Sequence, residues 1–341
     1  MKQTILYSTL EPLLSELYFL NYKKYNRIND RLIVIENLPD DWNKDIGNDL
    51  KSNFRNTIKK YKIKNVLIDD SFINMFGSHA ELINKTKHYI LDEKYYVTCI
   101  DEQDSFFLGD YFNFLMDEIY YNKFNLIGGI KDKLVCNDQL DRFNKDFNLK
   151  HTSPLCTLHL PQFINNKLYS NVKNFNAMYC FLDHENEIYS FIKNLTNKGY
   201  FLRDYPFDTF QYINFQYYMT DYNKKLYEIN EWNLYSNMCS AYQNINDDFK
   251  INSLTLHIYF SGLIQRLSLF HEREEEKFLE RFAWFVRNTG EQGKFILSFL
   301  YYVTNNISFE YKKIYIKNFE NIKDYLIINE KLMEKVLNLI V

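Results

Sequence analysis

Short apolar runs recur through the first half of the chain, at residues 32–36, 65–70, 96–101, 125–130 and 155–160. Each is mostly β-branched or aliphatic, and each is followed by a segment long enough for a helix or a crossover. That alternation predicts βαβ units assembled into a mainly parallel, buried sheet. Ligands bind such sheets at the carboxyl ends of the strands. The residues that follow these runs are therefore where chemistry is expected, and they do not read as a catalytic set.

Helical spacing of Leu10, Leu13, Leu14, Leu17 and Leu20 predicts a helix over 9–21, with Pro12 tolerated in its first turn. Further helices are expected over 41–60, 79–89, 111–121 and 137–147. A sixth strand is expected at 177–182, a helix at 185–197 and a last strand at 200–203. Beyond about residue 240 the pattern changes. Segments 251–270, 272–287 and 294–304 read as amphipathic helices, 314–316 as a short strand and 321–340 as a closing helix. The expected organisation is an α/β domain over 1–240 and a mostly helical region over 241–341. No Pro/Gly/Ser linker separates them, so they are expected to pack together.

The chain has 29 Tyr and 29 Phe against 9 Gly and 5 Pro, which reads as the bias of an AT-rich genome. Surface tyrosines would also suit base stacking in an RNA-binding protein. A net charge of −3 does not demand nucleic acid, although a local basic face is compatible with it. The five cysteines form no CxxC pair, which excludes a zinc ribbon or a thioredoxin-like motif and fits reduced residues in a cytosolic protein. The N-terminus lacks a signal-peptide pattern. The apolar stretch 254–270 carries His257, Gln265 and Arg266, so it is expected as a core helix and not a membrane span.

Several segments, taken in order, resemble one family. Leu14-Ser15-Glu16-Leu17-Tyr18-Phe19-Leu20 is similar to its pre-sheet helix, and Val66-Leu67-Ile68-Asp69-Asp70 to its second strand with an acidic turn. The run ending Ile100-Asp101-Glu102 is similar to its third strand, 126–131 to its fourth and 155–161 to its fifth. Phe201-Leu202-Arg203-Asp204-Tyr205-Pro206 resembles a late segment with the same Asp-Tyr-Pro. The family is the poxvirus-type poly(A) polymerase small (regulatory) subunit, which doubles as a cap-specific ribose 2′-O-methyltransferase. The resemblance implies an α/β, Rossmann-like (FtsJ/methyltransferase-type), mainly parallel sheet with a helical C-terminal extension. It also implies Asp69 as an S-adenosylmethionine-binding residue and Glu185 as a cap-binding residue.

The departures from that family are informative. The turn after the run at 32–36 is Glu36-Asn37-Leu38-Pro39-Asp40-Asp41, without the glycine that lets a backbone approach the cofactor closely. The family's Lys-Asp-Lys-Glu set is not matched either. Gly128-Gly129 stands where the aspartate is expected, Leu155-Cys156-Thr157 where the second lysine is, and Asn176-Ala177-Met178 where the glutamate is. A ribose 2′-hydroxyl then has no general base. No catalytic residue is assigned, and no cofactor is expected unless S-adenosylmethionine is retained.

Two basic, aromatic-interleaved stretches fit single-stranded RNA: Lys51, Arg55, Lys59, Lys60 and Lys62 in one, and Lys23, Lys24 and Arg27 in the other. The stretch 271–276 is acidic after His271 but lacks HExxH spacing, so it reads as a solvated helix start, and no residue is assigned to a metal. Asp69, Asp101 and Lys131 have no diagnostic spacing for nuclease chemistry. The expected function is a catalytically degenerate regulatory subunit that binds RNA and a viral poly(A) polymerase catalytic subunit, in the cytoplasm or a virion. Two alternatives stand beside it. One is an active cap 2′-O-methyltransferase with Lys150, Lys167 or Lys173 as base. The other is a stimulatory subunit of a viral capping enzyme.

Overall fold

The chain enters its sheet at the second residue. In order, the elements are β1 (Lys2–Ser8), α1 (Pro12–Lys24), β2 (Arg31–Glu36), α2 (Lys44–Lys60), β3 (Val66–Asp69), α3 (His79–Ile90) and β4 (Val97–Glu102). There follow β5 (Ser105–Phe107), α4 (Phe112–Tyr120), β6 (Leu126–Val135), α5 (Leu140–Phe147), β7 (Leu155–Asn165) and α6 (Asn166–Tyr169). Next come β8 (Leu226–Ile229), β9 (Glu231–Asn233), β10 (Thr255–His257), α7 (Glu275–Thr289), α8 (Glu291–Asn306), α9 (Lys312–Glu320) and α10 (Glu330–Ile340). The structure is a computed structural model that describes residues 1–38, 44–70, 79–121, 126–135, 139–148, 150, 155–169, 226–229, 231–233, 254–258 and 275–341.

Among the described residues the strands form a seven-stranded sheet, in the order β3-β2-β1-β4-β7-β6-β8, and a three-stranded sheet, β5-β10-β9. In the large sheet, β1 pairs in parallel with β2 and β4, β2 with β3, and β6 with β8. Only β7 runs against its neighbours, β4 and β6. This corrects the expected FtsJ-type arrangement. The class is α/β, but the run at 155–160 belongs to an antiparallel strand inserted inside a mixed sheet. An antiparallel return needs no right-handed crossover between β6 and β7.

The 2–8 segment carries only a short strand signal, Thr4-Ile5-Leu6-Tyr7. Gln3 and Thr4 precede its apolar residues, and those run straight into the leucine periodicity of α1. In the folded chain both are buried, and Gln3 donates to Thr98 Oγ1 at 2.9 Å and to the Tyr89 carbonyl at 2.7 Å. These partners come from the neighbouring strand and helix, so only tertiary pairing makes the segment a central strand.

Other expectations shift in the same way. Residues 255–257 lie in the expected 251–270 helix but form β10, paired antiparallel to β5 and parallel to β9. Residues 314–316 lie inside α9 and are not a strand. The closing helix is shorter than expected, starting at Asn329, whose side chain accepts from the Leu332 N–H at 3.1 Å. The expected elements at 177–182, 185–197 and 200–203 lie outside the described residues.

One apolar cluster joins the sheet to both ends of the chain. Leu6, Leu13, Leu17, Val34 and Phe54 pack with Phe285, Leu300, Tyr315, Met333 and Leu337. Each such fully buried side chain contributes about 1.5–3 kcal/mol. A second cluster, around Cys99, Phe107, Phe112, Ile127 and Phe163, pins α4 to β4, β6 and β7.

Register then aligns the carboxyl ends of three adjacent strands. Ser8 of β1 faces Glu36 of β2, and Tyr7 of β1 faces Glu102 of β4.

Candidate functional site

The chain passes from the large sheet to the small one through Gln103 and Asp104, the two residues between β4 and β5. The small sheet brings a distant residue to that crossing. His257 of β10 pairs with Ser105 of β5, and the Ile258 N–H donates to the Asp104 carbonyl at 3.0 Å. His257 Nε2 consequently lies 3.5 Å from Glu102 Oε2 and 3.3 Å from Asp104 Oδ1. One donor atom from each of the three residues lies within 4.8 Å of the others. Asp104 and His257 are buried and Glu102 is half-buried.

This donor set fits a divalent cation. Ligand atoms bonded at about 2.0–2.2 Å and held at octahedral or tetrahedral angles stand about 3.0–3.6 Å apart, and the imidazole-to-carboxylate separations match. Two carboxylate oxygens and one imidazole nitrogen suit a borderline cation such as Mn²⁺ or Zn²⁺. Three protein ligands leave further positions open to a substrate.

Beneath the cluster, Asp101 is an internal anchor. Its carboxylate accepts from Arg27 Nη1 and from the Tyr18 hydroxyl, both at 2.8 Å, and from the Glu102 N–H at 3.0 Å. Neither side chain of the Arg27–Asp101 pair reaches solvent. Burial pushes the Asp101 carboxyl up, against the pull of Arg27 and Tyr18. The guanidinium lies over the Phe107 ring at 4.5 Å and donates to Asn21 Oδ1 at 2.8 Å.

Glu36, at the end of β2, is buried on different terms. Among the described residues neither carboxylate oxygen has a hydrogen-bond partner, and the nearest cation, Arg55 Nη2, is 3.8 Å away. Burial, opposed by Arg55, raises its pKa to about 7. The adjacent Asn37 Oδ1 is also buried without a hydrogen bond.

The expected RNA-binding residues divide. Arg27 is internal. Lys24 donates to the carbonyls of Asn338 and Val341, closing the last turn of α10. Lys60 pairs with Glu16, and Arg55 lies between Glu36 and Asp70, 3.3 Å from the latter. Lys23, Lys59 and Lys62 are exposed, and Lys51 is half-buried.

Asp69 ends the edge strand β3 and accepts from the Tyr89 hydroxyl at 2.7 Å. Lys150 and Lys167 are exposed. Glu185, Lys173, residues 271–274 and the side chain of Lys131 in β6 lie outside the described part of the structure. Sequence reading noted Asp101 and Glu102 but missed their use. The local signal was an acidic Glu-x-Asp directly after an apolar strand. His257 had none, because the small sheet supplies it.

No protein-family model matches the sequence, and no curated protein matches it. Solved structures do match in shape. The galactosyltransferase LgtC, in complex with donor and acceptor sugar analogs, matches with a TM-score of 0.37 at 11% identity, over 82% of this chain and 95% of its own. The bifunctional glycosyltransferase WbbM gives 0.40 at 12%, over 76% of this chain and 46% of its own. The 4-diphosphocytidyl-2C-methyl-D-erythritol synthase of Anaerococcus prevotii gives 0.34 at 12%, over 66% and 88%.

None of these is a methyltransferase or a polyadenylation subunit. The sheet order, with the antiparallel β7 set between β4 and β6, overturns the FtsJ-type fold and the readings built on it: the poly(A) polymerase regulatory subunit, the cap 2′-O-methyltransferase and the capping-enzyme subunit. The reason is physical. Strands were counted from residue 32, so each methyltransferase landmark was sought one strand out of place. The viral and cytoplasmic assignments lose their basis with the family. Among the described residues, no helix is long and apolar enough to cross a membrane.

Proposed function

We propose that this chain is a divalent-cation-dependent transferase whose donor is a nucleoside diphosphate sugar. The convergence of Glu102, Asp104 and His257 at the carboxyl end of the central strand carries this reading. Strand ends of this kind are where open α/β sheets bind nucleotides. A divalent cation held there would neutralise the charge of a departing diphosphate.

The chain's own residues supply the rest. Glu102, Asp104 and His257 hold the cation and fix the diphosphate end of the site. Glu36 stands two strands away in register, about 10 Å at ordinary strand spacing. That spacing suits the reach from a diphosphate to its nucleoside. The buried oxygens of Glu36 call for hydrogen-bond donors, and ribose hydroxyls or a base N–H provide them. Sugars are the groups most commonly carried on nucleoside diphosphates, so they define the donor class.

The test is release of nucleoside diphosphate from a panel of uridine, guanosine, cytidine and adenosine diphosphate sugars, with Mn²⁺ and with a chelator. Turnover that needs the cation and falls at least about 100-fold in Asp104→Asn supports the reading. Pyrophosphate release from a nucleoside triphosphate, with no release from any diphosphate sugar, would replace it by nucleotidyl transfer.

A further inference from the structure

Gln103 sits between two of the cation-binding residues, and its own side chain makes none of their contacts. Its Oε1 accepts from Ser8 Oγ at 2.6 Å. Its Nε2 donates to the Glu11 carbonyl at 2.6 Å and to Ser15 Oγ at 3.0 Å. Its backbone N–H donates to the Tyr7 carbonyl at 3.3 Å. Every one of these partners lies on the segment that ends β1 and starts α1. Gln103 is buried, and it joins the β4–β5 turn to that segment.

The segment is itself tightly held. Leu10 has φ = 59°, a left-handed conformation unusual for a leucine, and its N–H donates to Ser8 Oγ at 3.1 Å. Such a conformation persists where the surroundings over-determine it. Glu11 caps α1 by accepting from the Leu14 N–H, and its other oxygen accepts from the hydroxyl of Tyr315 on α9. The chain's C-terminal region thus reaches the cation site through two residues, Tyr315 to Glu11 and Glu11 to Gln103.

We propose that Gln103 is a positioning residue for the cation site, clamping the β4–β5 turn so that Glu102 and Asp104 stay at ligand separation. Tyr315 closes the back of the clamp through Glu11. The proposal rests on the cation reading above. Because Gln103 lies between Glu102 and Asp104 in the chain, a small displacement of it moves both flanking carboxylates. Sites whose supporting groups are loosened lose function at displacements of about 1 Å.

The experiment is Mn²⁺ titration followed by electron paramagnetic resonance on the full chain, comparing wild type with Gln103→Met. Methionine keeps the length and volume of the side chain and removes its hydrogen bonds. The expected result is a dissociation constant raised about 10-fold or more, with a more heterogeneous spectrum of the bound ion. Tyr315→Phe should shift affinity in the same direction by less. Val336→Ala, a cavity in the core of α10, is the control: it lowers the melting temperature and leaves Mn²⁺ affinity unchanged.

Gln103→Met that binds Mn²⁺ within about twofold of wild type overturns the proposal. So does equal weakening in Val336→Ala, which would reduce the effect to general loss of stability. If Gln103→Met does not fold, Ser8→Ala and Ser15→Ala each remove one bond to Gln103. Unchanged affinity in both overturns the proposal equally. Wild-type protein that takes up no Mn²⁺ is a different failure, because it removes the cation reading itself.

Discussion

Asp101 and Glu36 are both carboxylates hidden from solvent near the ends of parallel strands, and the molecule treats them in opposite ways. Asp101 receives Arg27, Tyr18 and the Glu102 N–H, and a ring of aromatic side chains encloses its partner. Glu36 receives no hydrogen bond from the described residues. Burying a carboxylate costs free energy unless it is paired and hydrogen-bonded. A saturated carboxylate is part of the scaffold, whereas an unsaturated one held in place by the fold points to a ligand that completes it. The site therefore has a rigid half under β4 and a receptive half at the end of β2.

The largest effect should come from the saturated half. Arg27→Met leaves Asp101 buried without its cation, and breaking a buried pair from one side costs about 3–5 kcal/mol. Urea unfolding should show that loss. A cost under about 1 kcal/mol would mean that the pair is not a scaffold.

Glu11 tests whether saturation alone distinguishes the halves, because it is buried and bonded yet forms no ion pair among the described residues. Burial raises its pKa from 4.5 to about 8. Between those values the folded chain holds a proton that the unfolded chain has released. Stability from this group is therefore full below about pH 4.5 and is lost as pH rises toward 8, by on the order of 5 kcal/mol. Glu11→Gln, whose amide oxygen can still accept from the Leu14 N–H while its amide nitrogen donates to the Tyr315 hydroxyl, should flatten that slope in thermal unfolding between pH 5 and 8. An unchanged slope would assign the pH dependence elsewhere.

How far the sequence could be read depended on where each signal lies. α2, α3, α4 and α5 fall close to their expected ranges, because their apolar spacing is local. The strands at 32–36, 66–69 and 97–102 were legible as apolar runs for the same reason. β1 was not, since its polar Gln3 and Thr4 find partners only in the folded chain, Gln3 in Thr98 and Tyr89 and Thr4 in Asn29. Missing that one strand displaced the strand count and drew the chain toward a methyltransferase pattern. At the site, Glu102 closes an apolar run that the sequence reading includes, whereas Asp104, two residues on, belongs to no motif read from the sequence. His257 lies more than 150 residues away, in a segment whose spacing reads as helix. The basic stretches divide for a related reason: a charge run does not reveal that Arg27 turns inward while Lys23 faces solvent.

The receptive half makes the smallest change in stability and the most specific one. Glu36→Gln keeps the shape and removes the charge. With a pKa raised to about 7, the wild-type carboxyl is mostly protonated below that value and ionised above it. The variant should therefore be more stable than wild type at pH 8, by about 1 kcal/mol, and should lose that advantage by pH 5. Its affinity for nucleoside diphosphate should move the other way, falling about 10-fold with the loss of charge-assisted hydrogen bonds to the nucleoside. Gain of stability with loss of binding is the signature of a group held unsatisfied for a ligand. Calorimetric titration beside thermal unfolding reads both. A variant that loses stability at pH 8 and binds nucleotide as well as wild type would place Glu36 with Asp101, as scaffold, and the two halves of the site would no longer differ.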